Sequence, residues 1–257
     1  MHEYGNIKIM APVKTIAMRR LQVAKCLPIP YAEKLKQFLD LNDDRVSMWN
    51  GEHCAVIRDD ILALLNEGGV SRQVVDSFFE ILNDDQIGIP KDQLKYGFML
   101  TFAWGMHYTL LVFNKQSGWW EHYNTLQTKL NMYVDPYFEE AKKLHVKISD
   151  YFKHMKDSIS RKLNENSICK HIIHDDIEFL MWLRQTNVEY PLKANISCSQ
   201  QFPNIYDCGV VMMYIAQKKA EGELVKGVFS TRAMKNMRAH VLCKFINEGV
   251  GSWEKEE

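Results

Sequence analysis

The sequence predicts an α+β domain, and three runs of residues carry that prediction. Two amphipathic helical segments precede residue 85, β-branched and aromatic runs follow from Phe98 to Tyr123, and helical periodicity returns at Asp135. With 257 residues the chain is long enough for one large domain with a substantial core. We divide it into an N-terminal extension, residues 1–45, and a main domain, residues 46–257, with a long helical insertion at about 135–190.

The extension holds one short helical pattern, Tyr31 to Leu41, with Leu35, Phe38 and Leu39 at helical spacing. Two helices follow, Asp59 to Asn66 and Ser71 to Leu82. They are separated by Gly68-Gly69, and Ser71 serves as the N-cap of the second. Val74, Val75, Phe78, Phe79 and Leu82 form its core-facing stripe. Strands are expected at Phe98–Ala103, His107–Phe113 and Trp119–Tyr123, the last two joined as a hairpin through Lys115-Gln116-Ser117-Gly118. A turn centred on Lys115-Gln116 sets His107 directly opposite Asn124, within reach of a hydrogen bond on one face of the sheet.

Asp135-Pro136 then opens a long helix, with Asp135 as N-cap and an apolar stripe through Leu144, Ile148, Tyr151, Phe152, Met155, Ile159 and Leu163. Lys142, Lys143, Lys147, Lys153, Lys156, Arg161 and Lys162 make its other face basic, which reads as a solvated face or as a dock for an acidic partner. Further helices are expected at Asp175–Arg184, from Cys208 through Ala216, and at Thr231–Asn247, the last capped by Thr231 and stopped by Gly249; Ile196–Ser199 reads as a short strand.

Composition excludes several function classes. Lys plus Arg and Asp plus Glu are 32 each, so no global field draws the chain to nucleic acid or an anionic membrane. No stretch approaches 18 consecutive apolar residues, and the first ten residues lack the basic and apolar runs of a secretory signal. We expect an intracellular protein of the cytoplasm or nucleus, monomeric, with its six dispersed cysteines reduced. The Asn195-Ile196-Ser197 sequon carries no weight in that setting. Cys169, His171 and His174, with Cys198, match no strong zinc template, so no metal site is expected.

Chemistry concentrates in two stretches about a hundred residues apart: His107 in Trp104-Gly105-Met106-His107-Tyr108, and Cys208 in Gln200-Gln201-Phe202-Pro203-Asn204-Ile205-Tyr206-Asp207-Cys208-Gly209. The thiolate is the reactive form of cysteine, and the N-terminus of a helix together with a nearby imidazolium stabilises it. Asn124 can orient the imidazole, and a glutamine amide upstream can donate to an oxyanion beside the Cys208 N–H. His122, on the same face of the strand as Asn124, is a neighbour that could pose as an alternative base, and Cys198 reads as a buried strand thiol.

The order His, Asn, Gln, Cys within these motifs resembles the ubiquitin-like-protein-processing proteases of the ULP/SENP group, which share a clan with adenain. Residues Ile57 to Phe79 are similar to that family's opening helical segment, as in its divergent plant and transposon-associated members, so the resemblance spans about residues 50–250. It implies an adenain/ULP-like fold with a mixed central sheet and the catalytic cysteine at the start of a buried helix. It implies His107 as general base, Asn124 in the place of the family's aspartate, Cys208 as nucleophile and Gln201, or Gln200, as oxyanion donor. Tyr108 stands where the family usually has a substrate-binding tryptophan, and Val70 stands for its earlier tryptophan. The implied activity is cleavage after the C-terminal glycine of a ubiquitin-like modifier, SUMO-type first, with no cofactor. Two other readings fit the altered residues: a pseudoenzyme that binds such a modifier uncut, and an acetyltransferase of the same clan.

Overall fold

The computed structural model describes residues 22–41, 43, 46–51, 54–84, 96–104, 107–114, 117–126, 135–165, 191–198, 200, 206–223, 225 and 229–248. Among them the elements run α1 (Ile29–Asp40), β1 (Ser47–Asn50), β2 (Ala55–Ile57), α2 (Arg58–Leu65), α3 (Arg72–Asp84), β3 (Tyr96–Trp104), β4 (His107–Asn114), β5 (Trp119–Tyr123), α4 (Pro136–Glu165), β6 (Leu192–Ala194), α5 (Cys208–Ala220) and α6 (Thr231–Glu248). The helix expected at Asp175–Arg184, the stop at Gly249 and the Cys169, His171 and His174 group lie outside the described residues. No helix is long and apolar enough to cross a membrane among the described residues.

Strands β3, β4, β5 and β6 form one sheet in that order; β3 to β5 are antiparallel, and β6 joins β5 in parallel, so the sheet is mixed. Strands β1 and β2 form a separate antiparallel pair. Because side chains alternate across a strand, the two faces of β4 serve different layers. Leu110 and Val112, with Tyr123 of β5, enter the main core together with Val210, Val211 and Met213 of α5, Val74 and Phe78 of α3, and Leu242 and Phe245 of α6. Leu35 and Phe38 of α1 and the preceding Val23 and Leu27 join that same core, so the chain from Val23 to Phe38 packs against the main body. On the opposite face Leu111, Phe113 and Trp120 form a smaller cluster covered by Leu144 and Ile148 of α4. Helix α4 therefore covers the second face of the sheet.

The hairpin differs from expectation in its turn. Leu110 pairs with Tyr123, Leu111 with His122 and Asn114 with Trp119, which makes the loop four residues long. Gly118 adopts φ 66° and donates its N–H to the Asn114 carbonyl at 3.0 Å, while the Asn114 side chain accepts from the Ser117 N–H at 3.2 Å. These bonds draw Gly118 into the turn. Extending the register past Tyr123 sets Asn124 level with Thr109 instead of His107. A shift of two residues preserves which face each side chain occupies, so His107 and Asn124 still share one side as diagonal neighbours.

Three smaller corrections concern element ends. Ser230, not Thr231, caps α6, since its Oγ accepts from the Ala233 N–H at 3.1 Å. The short strand lies at Leu192–Ala194, ahead of the expected position; Asn195 ends it by folding its side chain onto the Ser197 N–H at 3.1 Å, an Asx turn that breaks the extended run. Tyr151, assigned to the apolar stripe of α4, is exposed, because the sheet cluster it would join ends at Ile148. Lys142 and Lys143 pair with Glu139 and Glu140 on the solvent side of α4. Ser71 does cap α3, accepting from the Val74 N–H at 3.2 Å and donating to Asp60 at 2.6 Å.

Candidate active site

His107 is the first residue of β4, and Cys208 is the first residue of α5. Both line a cleft of about 600 Å³ with Val70, Tyr108, Leu126, Tyr137, Tyr206 and Gly209, while Asp59 and Asp60 mark its α2 side. The nucleophile candidate sits at the start of a helix that is buried on nearly every side. Gly209 is required there: a Cβ at this position would lie 2.4 Å from Val70 Cγ2 and 3.3 Å from Val75 Cγ2. Only a residue without a side chain lets α5 approach so closely.

His107 is buried, and its Nε2 lies 2.9 Å from Asn124 Oδ1. The orientation of the Asn124 amide follows from its other partners. Its Oδ1 also accepts from the Leu126 N–H at 2.9 Å, and its Nδ2 donates to Asp135 Oδ2 at 3.0 Å. With Oδ1 facing the ring, His107 Nε2 carries the hydrogen and Nδ1 keeps its lone pair. That Nδ1 is buried with no hydrogen-bond partner among the described residues. An unsatisfied basic nitrogen in a cleft that also holds a thiol is a proton acceptor waiting for its donor.

Asp135 accepts the Tyr137 N–H at 2.9 Å, as the expected N-cap of α4. Its neighbour Tyr137 sets its ring edge-on to His107, with centroids 4.6 Å apart and planes at 70°. His122 lies under Phe138, with centroids 5.7 Å apart, and is absent from the lining of the cleft.

The electrostatics correct one expectation. Burial pushes the Cys208 thiol above its ordinary value; the backbone N–H groups of Tyr108, Gly209 and Cys208 itself oppose this, and the Asp207 carboxylate adds to it. The helix start does favour the thiolate, but desolvation outweighs it. Burial likewise lowers the pKa of His107, against the Asn124 hydrogen bond and the Asp135 charge. Both shifts favour an uncharged thiol and imidazole at rest.

Asp207 is held by Arg238, whose side chain is fully buried, through a 2.6 Å contact to Nη2 and a 3.1 Å bond from Nε. The same guanidinium donates to the carbonyls of Leu64 at 3.3 Å and Gly68 at 2.8 Å. Arg238 thus ties α2, the turn before Val70 and the residue preceding Cys208 to α6. Gln200 donates to the carbonyls of Asn124 at 3.0 Å and Cys198 at 2.9 Å, which fastens its loop to the end of β5. Gln201 lies outside the described residues. Cys198 is buried in the turn after β6, where burial pushes its thiol up to about 12.

The predicted His107, Tyr108 and Cys208 therefore meet in one cleft, with Asn124 bonded behind the imidazole. Sequence reasoning assigned Asp135 only a capping role and overlooked Tyr137 and Arg238. Strand alternation held the missing signal: His107 faces the layer that α4 covers, so the start of α4 must lie near it.

No family model matches the chain, and no curated protein matches it. Solved structures do. A SUMO protease Ulp1 with its catalytic cysteine oxidised to a sulfonic acid aligns at TM-score 0.58 and 11% identity, covering 86% of this chain and 96% of that one. The sulfenic acid form aligns at 0.54 and 11%, covering 95% and 99%. The C-terminal Ulp1 protease domain in complex with Smt3, the yeast ortholog of SUMO, aligns at 0.50 and 12%, covering 95% and 99%. The chain has an α+β, Ulp1-like fold.

Proposed function

We propose that this chain is a cysteine peptidase of the ULP type, cleaving after the C-terminal glycine of a ubiquitin-like modifier, with Cys208, His107 and Asn124 as its triad. The observation that carries the proposal is the imidazole geometry: Nε2 is held by Asn124 and Nδ1 is left unsatisfied in the cleft shared with Cys208. In the reaction His107 Nδ1 takes the thiol proton as Cys208 Sγ bonds to the scissile carbonyl carbon. The carbonyl oxygen becomes an oxyanion facing the Cys208 N–H and the Gln201 amide, which we assign from its place in the sequence because Gln200 donates to backbone carbonyls. The C–N bond then breaks and the leaving amine takes the proton from His107; water attacks the thioester with His107 as base, the C–S bond breaks to release the modifier's carboxyl terminus, and His107 returns the proton to Cys208 Sγ.

Substrate class rests on the fold likeness and on the cleft. One of the Ulp1 neighbours is a complex with a SUMO, and the cleft here is lined by Gly209, Val70, Tyr108 and Tyr137, suited to a thin chain without bulky side chains. Val70 packs on Gly209 rather than offering a broad aromatic wall, so the modifier preference is expected to differ from that of the Ulp1 neighbours. A second reading, binding without cleavage, draws on the resting electrostatics, which favour neither thiolate nor imidazolium.

A panel of ubiquitin-like modifiers carrying a C-terminal vinyl sulfone separates these. Covalent capture by the wild type and none by Cys208→Ala supports the peptidase; tight noncovalent binding with no capture supports the second reading. Self-acetylation with acetyl-CoA and no modifier binding would overturn both in favour of acyl transfer of another kind.

A further inference from the structure

We propose that Asp135, at the start of α4, is a positioning residue that acts through Asn124 to stabilise the protonated form of His107, which makes the helical insertion a working part of the site. This rests on the reading of Cys208 and His107 as nucleophile and base. The hydrogen-bonded chain is continuous: His107 Nε2 to Asn124 Oδ1 at 2.9 Å, then Asn124 Nδ2 to Asp135 Oδ2 at 3.0 Å. A neutral amide stabilises imidazolium less than a carboxylate does, but a carboxylate that accepts from the amide polarises it and strengthens its oxygen as an acceptor. The carboxylate also fixes which way the amide faces, and hence which ring nitrogen is the base.

The backbone delivers this arrangement. Asp135 Oδ1 caps α4 through the Tyr137 N–H, leaving Oδ2 for Asn124. The next turn brings the Tyr137 ring against His107 and Phe138 against His122. Among the described residues, the other ionisable groups around the imidazole are Tyr137 of α4, Cys208 of α5, Tyr108 of β4, His122 of β5, Tyr206 before α5, and Asp59 and Asp60 of α2 across the cleft. Two groups oppose burial at His107, the Asn124 hydrogen bond and the Asp135 carboxylate, and only Asp135 is charged.

The test is the pH dependence of Cys208 alkylation by iodoacetamide in the full chain, read at Cys208 by peptide mass mapping. In this probe reaction the S–C bond forms as iodide leaves. Asp135→Asn retains a helix cap but presents an NH₂ group to the Asn124 NH₂ group, and Asp135→Ser retains a cap with no charge. Each is expected to slow alkylation at pH 7 by about tenfold, the equivalent of one pKa unit, with the alkaline plateau and thermal midpoint unchanged. The swap Asn124→Asp/Asp135→Asn puts the carboxylate directly on His107 and is expected to restore the rate at pH 7 to within about threefold of wild type. Unchanged profiles in both single variants, or a swap as slow as the singles, would overturn the proposal. A neutral-pH rate that survives His107→Ala would instead overturn the underlying Cys208–His107 reading.

Discussion

His122 and Arg238 are the side chains whose burial has the clearest energetic consequence. Burial lowers the His122 pKa to about 4, so between that value and the ordinary 6.5 the unfolded chain binds a proton that the folded chain refuses. Stability therefore rises with pH through this window and is lost on acidification, by about 3 kcal/mol for a shift of this size. Urea unfolding at pH 7 and pH 4.5 is expected to show a loss that shrinks in His122→Phe. Arg238 sits fully buried against Asp207, so Arg238→Met strands a buried carboxylate and is expected to cost about 3–5 kcal/mol. Asp207→Asn in the same chain is expected to recover part of that loss, again by urea unfolding. Neither role was legible in the sequence: Arg238 interrupts a helix of otherwise unremarkable pattern, and its five partners come from segments between Ala63 and Asp207.

Among the elements, the hairpin shows what sequence periodicity can and cannot supply. Alternation of apolar residues in β4 and β5 was enough to put His107 and Asn124 on one face, because any even register shift keeps that parity. The loop length was hidden, since it depends on the positive φ of Gly118 and the folded-back Asn114 side chain. The positions of the candidate residues His107 and Cys208 at element starts were legible because each is followed by a regular run. Asp135 was read only as a cap because its second bond crosses from α4 to the end of β5, a contact no local pattern contains. The packing of α5 gives an element-scale prediction. Gly209→Ala drives a Cβ into Val70 and is expected to cost about 1–3 kcal/mol in thermal or urea unfolding, with Val70→Ala relieving the clash.

In the molecule as a whole, two layers meet at the cleft. The main core carries Cys208 on α5 against one face of the sheet, while α4 covers the other face and holds the His107 side. On the solvent side of α4, Lys142 and Lys143 pair locally with Glu139 and Glu140. The Ulp1-like fold is shared at only 11–12% identity. The central claim is that Cys208 is the nucleophile of this cleft, and mass mapping of the residue labelled by a C-terminal glycine vinyl sulfone modifier tests it most directly. The adduct is expected on Cys208 and is expected to be lost in His107→Ala at pH 7. An adduct on Cys54, Cys198 or another cysteine, or labelling that persists in Cys208→Ala, would contradict it.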